Sequence, residues 1–205
     1  MFATAPLLLG FALGMRHALD ADHIVAMSTI VARERSLPRA ALQGAAWGTG
    51  HSISLFLIGL LVLVFRVPMP PAWSALFERA VGVMLILLGL VSLFVRHRHT
   101  HAHPGATEDP MPSRRRPFGV GLVHGLAGSG ALALAVLATI PSRLEGLFYI
   151  ALFGLGAIGG MVVITTTLAL PARFSRRTRR GASWISAAAG VGSVVFGIFY
   201  LTVWA

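Results

Sequence analysis

Six long apolar segments, separated by clusters of proline and arginine, limit this chain to very few folds. They run over residues 4–32, 41–65, 74–95, 118–140, 145–171 and 183–204. An α-helix needs about 20 residues to cross roughly 30 Å of hydrocarbon, and every segment meets that length. The segments are apolar on all sides, so helical amphipathicity carries little information. A transmembrane β-barrel would show short stretches of alternating polarity instead, and the sequence has none. Apolar residues make up 56 % of the 205 and charged residues 12 %, where a soluble domain carries about 25 % charged residues. The expected fold is an all-α integral membrane protein with six transmembrane helices. No basic region precedes the first segment, which reads as a retained helix and not a cleaved signal peptide.

Arginine supplies the whole positive charge, since lysine is absent, and it alternates between the connections. The first loop has Arg33, Arg35 and Arg39, and the second has only Arg66. The third has Arg96, Arg98, Arg114, Arg115 and Arg116, and the fourth only Arg143. The fifth has Arg173, Arg176, Arg177, Arg179 and Arg180. The positive-inside rule then makes loops 33–40, 96–117 and 172–182 cytoplasmic and leaves both termini on the outer side of a cytoplasmic (inner) membrane. Arginines placed between apolar runs set orientation. They do not form the basic soluble surface that nucleic acid requires, so the expected surroundings are the lipid bilayer.

The chain also resembles itself at an offset near 107 residues. Phe11, Gly14, His17 and Leu19 match Phe118, Gly121, His124 and Leu126 in register. Gly48 and Gly50 match Gly154 and Gly156, and Gly82 and Gly89 match Gly190 and Gly197, with a drift of one residue. Three spans per unit is an odd number, so the second copy must cross in the opposite sense. The expected architecture is two inverted three-helix repeats, 1–95 and 118–205, joined by a His/Arg/Pro-rich linker, 96–117. Secondary transporters are commonly built this way, with the site near the midplane.

The first span holds Arg16, His17, Asp20, Asp22 and His23, five ionisable side chains within eight residues. Each charge at a bilayer centre costs roughly 2.5 kcal/mol or more, and such groups mark function. An Arg16–Asp20 pair at i, i+4 would account for two of them. Two imidazoles and two carboxylates remain, a nitrogen/oxygen donor set. With no cysteine in the chain, thiolate sites, iron–sulfur clusters and disulfides are excluded. Such a set suits a borderline dication such as Ni²⁺, Co²⁺ or Zn²⁺ better than Mg²⁺ or Ca²⁺. On a straight helix turning about 100° per residue, His17, Asp20 and His23 share a face and Asp22 lies opposite. Either Asp22 meets another helix, or the span unwinds, which is tolerated where it lines a cavity.

His51 adds a further candidate ligand in the second span. His124, the repeat mate of His17, is a candidate pathway residue in the fourth span, as are Arg16, Ser52 and Ser129. Ser54 and Thr49 could likewise hydrogen-bond behind the ligands or form ordinary interhelical contacts. His97, His99, His101 and His103 in the third loop suggest weak metal binding in a solvated linker.

These residues resemble the nickel/cobalt transporter family, the high-affinity nickel permeases. The family's hallmark Arg-His-Ala-x-Asp-Ala-Asp-His-Ile stands here as Arg16-His17-Ala18-Leu19-Asp20-Ala21-Asp22-His23-Ile24. Gly50-His51-Ser52 resembles its second motif region. The stretch from His124 through Gly130 resembles the short, six-span urease-accessory-type branch. The resemblance implies uptake of Ni²⁺ or Co²⁺ as transported substrate, with no permanently bound cofactor and with His17, Asp22 and His23 required. Straight-helix geometry favours Asp20 instead, so both carboxylates stand as site residues. The chain departs from typical members in having six spans where about eight are usual.

The leading function is therefore a secondary nickel or cobalt permease. Efflux of the same ions is an alternative, with the loop histidines as collectors. A non-transporting accessory role in maturing an enzyme such as urease is another. A membrane haem protein with axial histidines fits the carboxylates poorly. No phosphate-binding G-x4-G-K-[ST] motif and no nucleophile–base arrangement appears, so the chain does not read as an enzyme. Energy would come from the membrane potential, a proton gradient or an accessory subunit, and a second copy of the chain is a further candidate partner.

Overall fold

The computed structural model describes residues 4–32, 34–65, 71–98, 115–126, 131–174 and 179–203. Among them are eight helices and no strand: α1 (Thr4–His17), α2 (Ala21–Val31), α3 (Leu37–Phe65), α4 (Pro71–Arg98), α5 (Arg115–Gly125), α6 (Ala131–Thr139), α7 (Arg143–Phe174) and α8 (Arg179–Val203). Four helices are long and apolar enough to cross a membrane: Leu37–Phe65, Ala72–Phe94, Arg143–Arg173 and Trp184–Val203. Large apolar side chains cover their outer faces. Leu57, Leu61, Leu87, Leu155, Val195 and Phe199 are all more than half exposed. Water would not tolerate so continuous an apolar surface on a monomer, and lipid does. The protein is a helical membrane protein.

The first apolar segment unwinds at its ionisable cluster, an alternative that straight-helix geometry leaves open, and the fourth, expected as one span, also holds two helices. In the first, the chain unwinds over residues 18–20. Asp20 takes an extended conformation (φ −62°, ψ 143°) and starts α2 as its N-cap residue. The freed amides are satisfied by short-range turns: Leu19 N–H donates to the Arg16 carbonyl at 2.9 Å and Asp20 N–H to the His17 carbonyl at 3.0 Å. That local closure lets an interrupted helix persist away from water. In the fourth segment α5 stops at Gly125 and α6 begins at Ala131, and residues 127–130 between them lie outside the described set.

The most extensive helix packing pairs α3 with α7, α4 with α8, α1 with α7 and α3 with α5. Each of these contacts joins the first half of the chain to the second. Glycine permits the close approach. A Cβ at Gly14 would strike the Phe153 carbonyl, and one at Gly156 would strike that of Phe11, which locks α1 to α7. The same relation recurs between α5 and α3, where Gly121 faces the Trp47 carbonyl and Gly50 that of Phe118. In the α4–α8 contact, Gly82 meets Gly197 and Gly89 meets Gly190. The main apolar core lies between these pairs and includes Met27, Trp47, Val81, Leu85 and Met161.

Candidate metal site

Four helix segments deliver the ionisable side chains to one buried place. His17 is the last residue of α1, Asp22 and His23 lie in the first turn of α2, His51 is mid-way along α3, and His124 is in the last turn of α5. All five are buried, and His23, His51 and His124 are 0 % exposed. The break at 18–20 is what places both carboxylates. The Asp20 side chain makes no cap to α2 and instead lies with Oδ2 2.9 Å from His17 Nδ1. Asp22, restarted in a new helix, falls in a first turn where the helix dipole favours a negative charge. Its Oδ1 accepts from the His23 amide and faces His23 Nδ1, both at 3.0 Å. Its Oδ2 is 2.8 Å from His124 Nε2.

The imidazoles are mutually close. His17 Nε2 lies 3.0 Å from His51 Nε2. Ring centroids are 4.7 Å apart for His17–His23, 4.9 Å for His23–His51 and 4.3 Å for His23–His124. Two overlapping groups bring their ligand atoms within 4.8 Å of one another: His17, His23 and His51, and Asp22, His23 and His124. Three buried ring nitrogens, His23 Nε2, His51 Nδ1 and His124 Nδ1, have no hydrogen-bond partner. Unpaired buried ring nitrogens are costly, and a cation held by His23 Nε2 would satisfy that one. Asp20 fixes the His17 tautomer by accepting from Nδ1–H, which makes Nε2 the acceptor facing His51 Nε2 and the lone pair a metal would take.

The other candidate residues fall elsewhere. Asp20 pairs with His17 where the sequence suggests Arg16, and Arg16 itself is exposed. The hydroxyls of Ser52, Ser54 and Thr49 donate to the carbonyls of Gly154, Leu122 and Ala45 at 3.0, 2.7 and 2.7 Å. They act as helix contacts and do not reach a ring nitrogen. Ser129, His99, His101 and His103 lie outside the described residues, and His97 is described only as the penultimate residue of α4. Sequence reasoning passed over two aromatic walls. The Phe153 ring is 5.4 Å from that of His17, and the Trp47 ring is 5.5 Å from that of His124. Trp47 lies one turn before His51 on α3, and that spacing was the available signal.

No family model matches the chain, and no solved structure matches it. Curated proteins do. The urease accessory protein UreH of Bacillus sp. (strain TB-90) is 37 % identical, over 95 % of this chain and 90 % of its own length. The chloroplast protein FOR GROWTH AND FERTILITY 1 of Arabidopsis thaliana is 26 % identical, over 89 % of this chain and 56 % of its own. The nickel transporter NixA of Staphylococcus aureus (strain NCTC 8325 / PS 47) is 29 % identical, over 52 % of this chain and 37 % of its own. Nearly end-to-end similarity at this level, together with the motif helices described above, places the chain in the UreH family, the urease-accessory branch that its motifs resemble.

Proposed function

We propose that the chain takes up Ni²⁺ or Co²⁺ across the cytoplasmic membrane as a secondary permease. The observation that carries this reading is the buried triad of His17, His23 and His51, whose ligand atoms lie within 4.8 Å of one another. Asp20 orients His17, and Asp22 orients His23 and supplies negative charge against the dication. The name of the 37 % identical relative, a urease accessory protein, and that of the weaker relative, a nickel transporter, both favour nickel as the substrate.

The architecture in this reading is six membrane crossings as two inverted repeats, 1–95 and 118–205, linked by 96–117. Paired helices α1/α2 and α5/α6 make the first crossing of each repeat. The recurring glycine contacts support it, because Gly14 and Gly121, Gly156 and Gly50, and the two α4–α8 pairs exchange under one offset near 107. Arginine placement supports cytoplasmic loops at 33–40, 96–117 and 172–182, with both termini outside. The ion enters from outside, exchanges water for imidazole at the triad, and leaves inward as one repeat rocks against the other. The membrane potential drives a dication inward by about 2.3 kcal/mol per charge per 100 mV.

A second reading, a membrane accessory protein that binds nickel without moving it, is favoured by the name UreH carries. Accumulation of ⁶³Ni²⁺ in cells with empty vector, wild type and His17→Ala separates the cases. Counts raised by wild type alone establish import through His17. Counts below the vector control mean export. Equal counts, with nickel binding by the purified protein, leave the accessory reading.

A further inference from the structure

We propose that Asp22, His23 and His124 form a second ion position beside the His17–His23–His51 triad, and that His23 serves both positions and passes the ion between them. This rests on the permease reading above.

His23 is the only residue common to the two groups whose ligand atoms converge among the described residues. Its two ring nitrogens differ in their surroundings. Nδ1 lies 3.0 Å from Asp22 Oδ1, and Nε2 has no partner although the residue is 0 % exposed. The ring stands steeply to those of His17 and His51, at 72° and 77°, and is tilted only 31° over that of His124. One imidazole thus borders a nitrogen-only group on one side and a mixed nitrogen/oxygen group on the other.

The second group is built as a site. Asp22 Oδ1 and Oδ2 each hold one imidazole nitrogen, at 3.0 Å from His23 and 2.8 Å from His124. Both contacts use atoms that bind metals well, and His124 Nδ1 is left without a partner. An ion there takes the place of the hydrogens on His23 Nδ1 and His124 Nε2, each proton moving to the unpaired nitrogen of the same ring, and meets a carboxylate, whereas the first position offers only neutral rings. Two dications flanking one imidazole, with a single carboxylate between them, repel strongly at such short range. The positions are therefore occupied in turn, one ion per chain. His124 comes from the second half of the sequence, so the second position exists only where the two halves meet.

The bland explanation is that His124 is a hydrogen-bond clip between α5 and α2. His124→Gln separates the two, because glutamine keeps a donor for Asp22 and removes the ring nitrogens. Binding of ⁶³Ni²⁺ to purified protein and flux into proteoliposomes are the readouts, with the elution profile checking that each variant is folded. Wild type should bind one ion. The His17→Ala/His51→Ala variant should still bind one ion about tenfold or more weaker, and adding His124→Gln should remove a further tenfold or more. In the wild-type background His124→Gln should leave affinity within about threefold and cut flux about tenfold or more. The inference is overturned if the double variant binds nothing, if its residual binding ignores His124→Gln, or if His124→Gln alone abolishes binding or transports like wild type. Wild type that binds no nickel at all removes the permease reading itself, a result distinct from every variant outcome.

Discussion

His124 Nε2 lies 2.8 Å from Asp22 Oδ2, joining side chains 102 residues apart in sequence. Asp22 thus holds His23 with one oxygen and His124 with the other. Asp20 is 41 % exposed at its side chain and, among the described residues, pairs with His17. Initial rates of ⁶³Ni²⁺ accumulation should rank the two carboxylates accordingly. Asp22→Asn should lose about tenfold or more and Asp20→Asn a few-fold, as expected for groups that orient ligands to different degrees. The opposite ranking would contradict the geometry.

Glycine contacts between the halves allow a paired test of packing. A Cβ at Gly156 would strike the Phe11 carbonyl, whereas one at Gly159, in the same helix, meets nothing within 4 Å. Gly156→Ala should destabilise by about 1–3 kcal/mol through overpacking. Gly159→Ala should be neutral or stabilise by up to about 1 kcal/mol through helix propensity. Thermal unfolding in detergent reads both. Equal shifts would mean that α1 and α7 do not approach as described.

Ser54 decides whether the hydroxyls near the histidines serve the ion or the helices. Its Oγ donates to the Leu122 carbonyl at 2.7 Å and so joins α3 to α5. Ser54→Ala should cost about 0.6 kcal/mol of stability and no more than about 1.7 kcal/mol, the average and the maximum for interhelical hydrogen bonds in membranes. Nickel affinity of the purified variant should stay within about twofold. A large affinity loss without loss of stability would give the hydroxyl a role at the ion.

The loop histidines carry a simpler expectation. Replacing His97, His99, His101 and His103 together with alanine should leave nickel accumulation within about twofold, since the converging buried histidines among the described residues are His17, His23, His51 and His124. Collapse of uptake in that variant would move the loop onto the ion's path.

The membrane class was legible because long apolar runs have few alternatives, and the buried His17–Asp22–His23 cluster because five ionisable groups crowd one span. The conflict between Asp20 and Asp22 was not soluble from a helical wheel. Ala18, Leu19, Asp20 and Ala21 are all acceptable in a helix, so nothing local announces the break there. The break falls where Ala18 packs closely on Gly160 of α7, and it leaves the Asp20 carboxylate turned back to His17 three residues earlier. In the fourth segment α5 ends at Gly125, and a glycine there is a helix-end signal. The Asp22–His124 contact was invisible because sequence spacing says nothing about which of several buried imidazoles a carboxylate will meet.

Because α1 packs on α7 and α3 on α5, a ribosome must release the first partners well before the second ones exist. At about 5–20 residues per second, roughly a hundred residues take some 5–20 s to make. Through that interval Asp22 and the grooves at Gly14 and Gly50 face lipid or the insertion machinery without their eventual neighbours. An unfinished chain thus carries an unpaired carboxylate and open glycine grooves in the bilayer until α5 and α7 arrive to fill them.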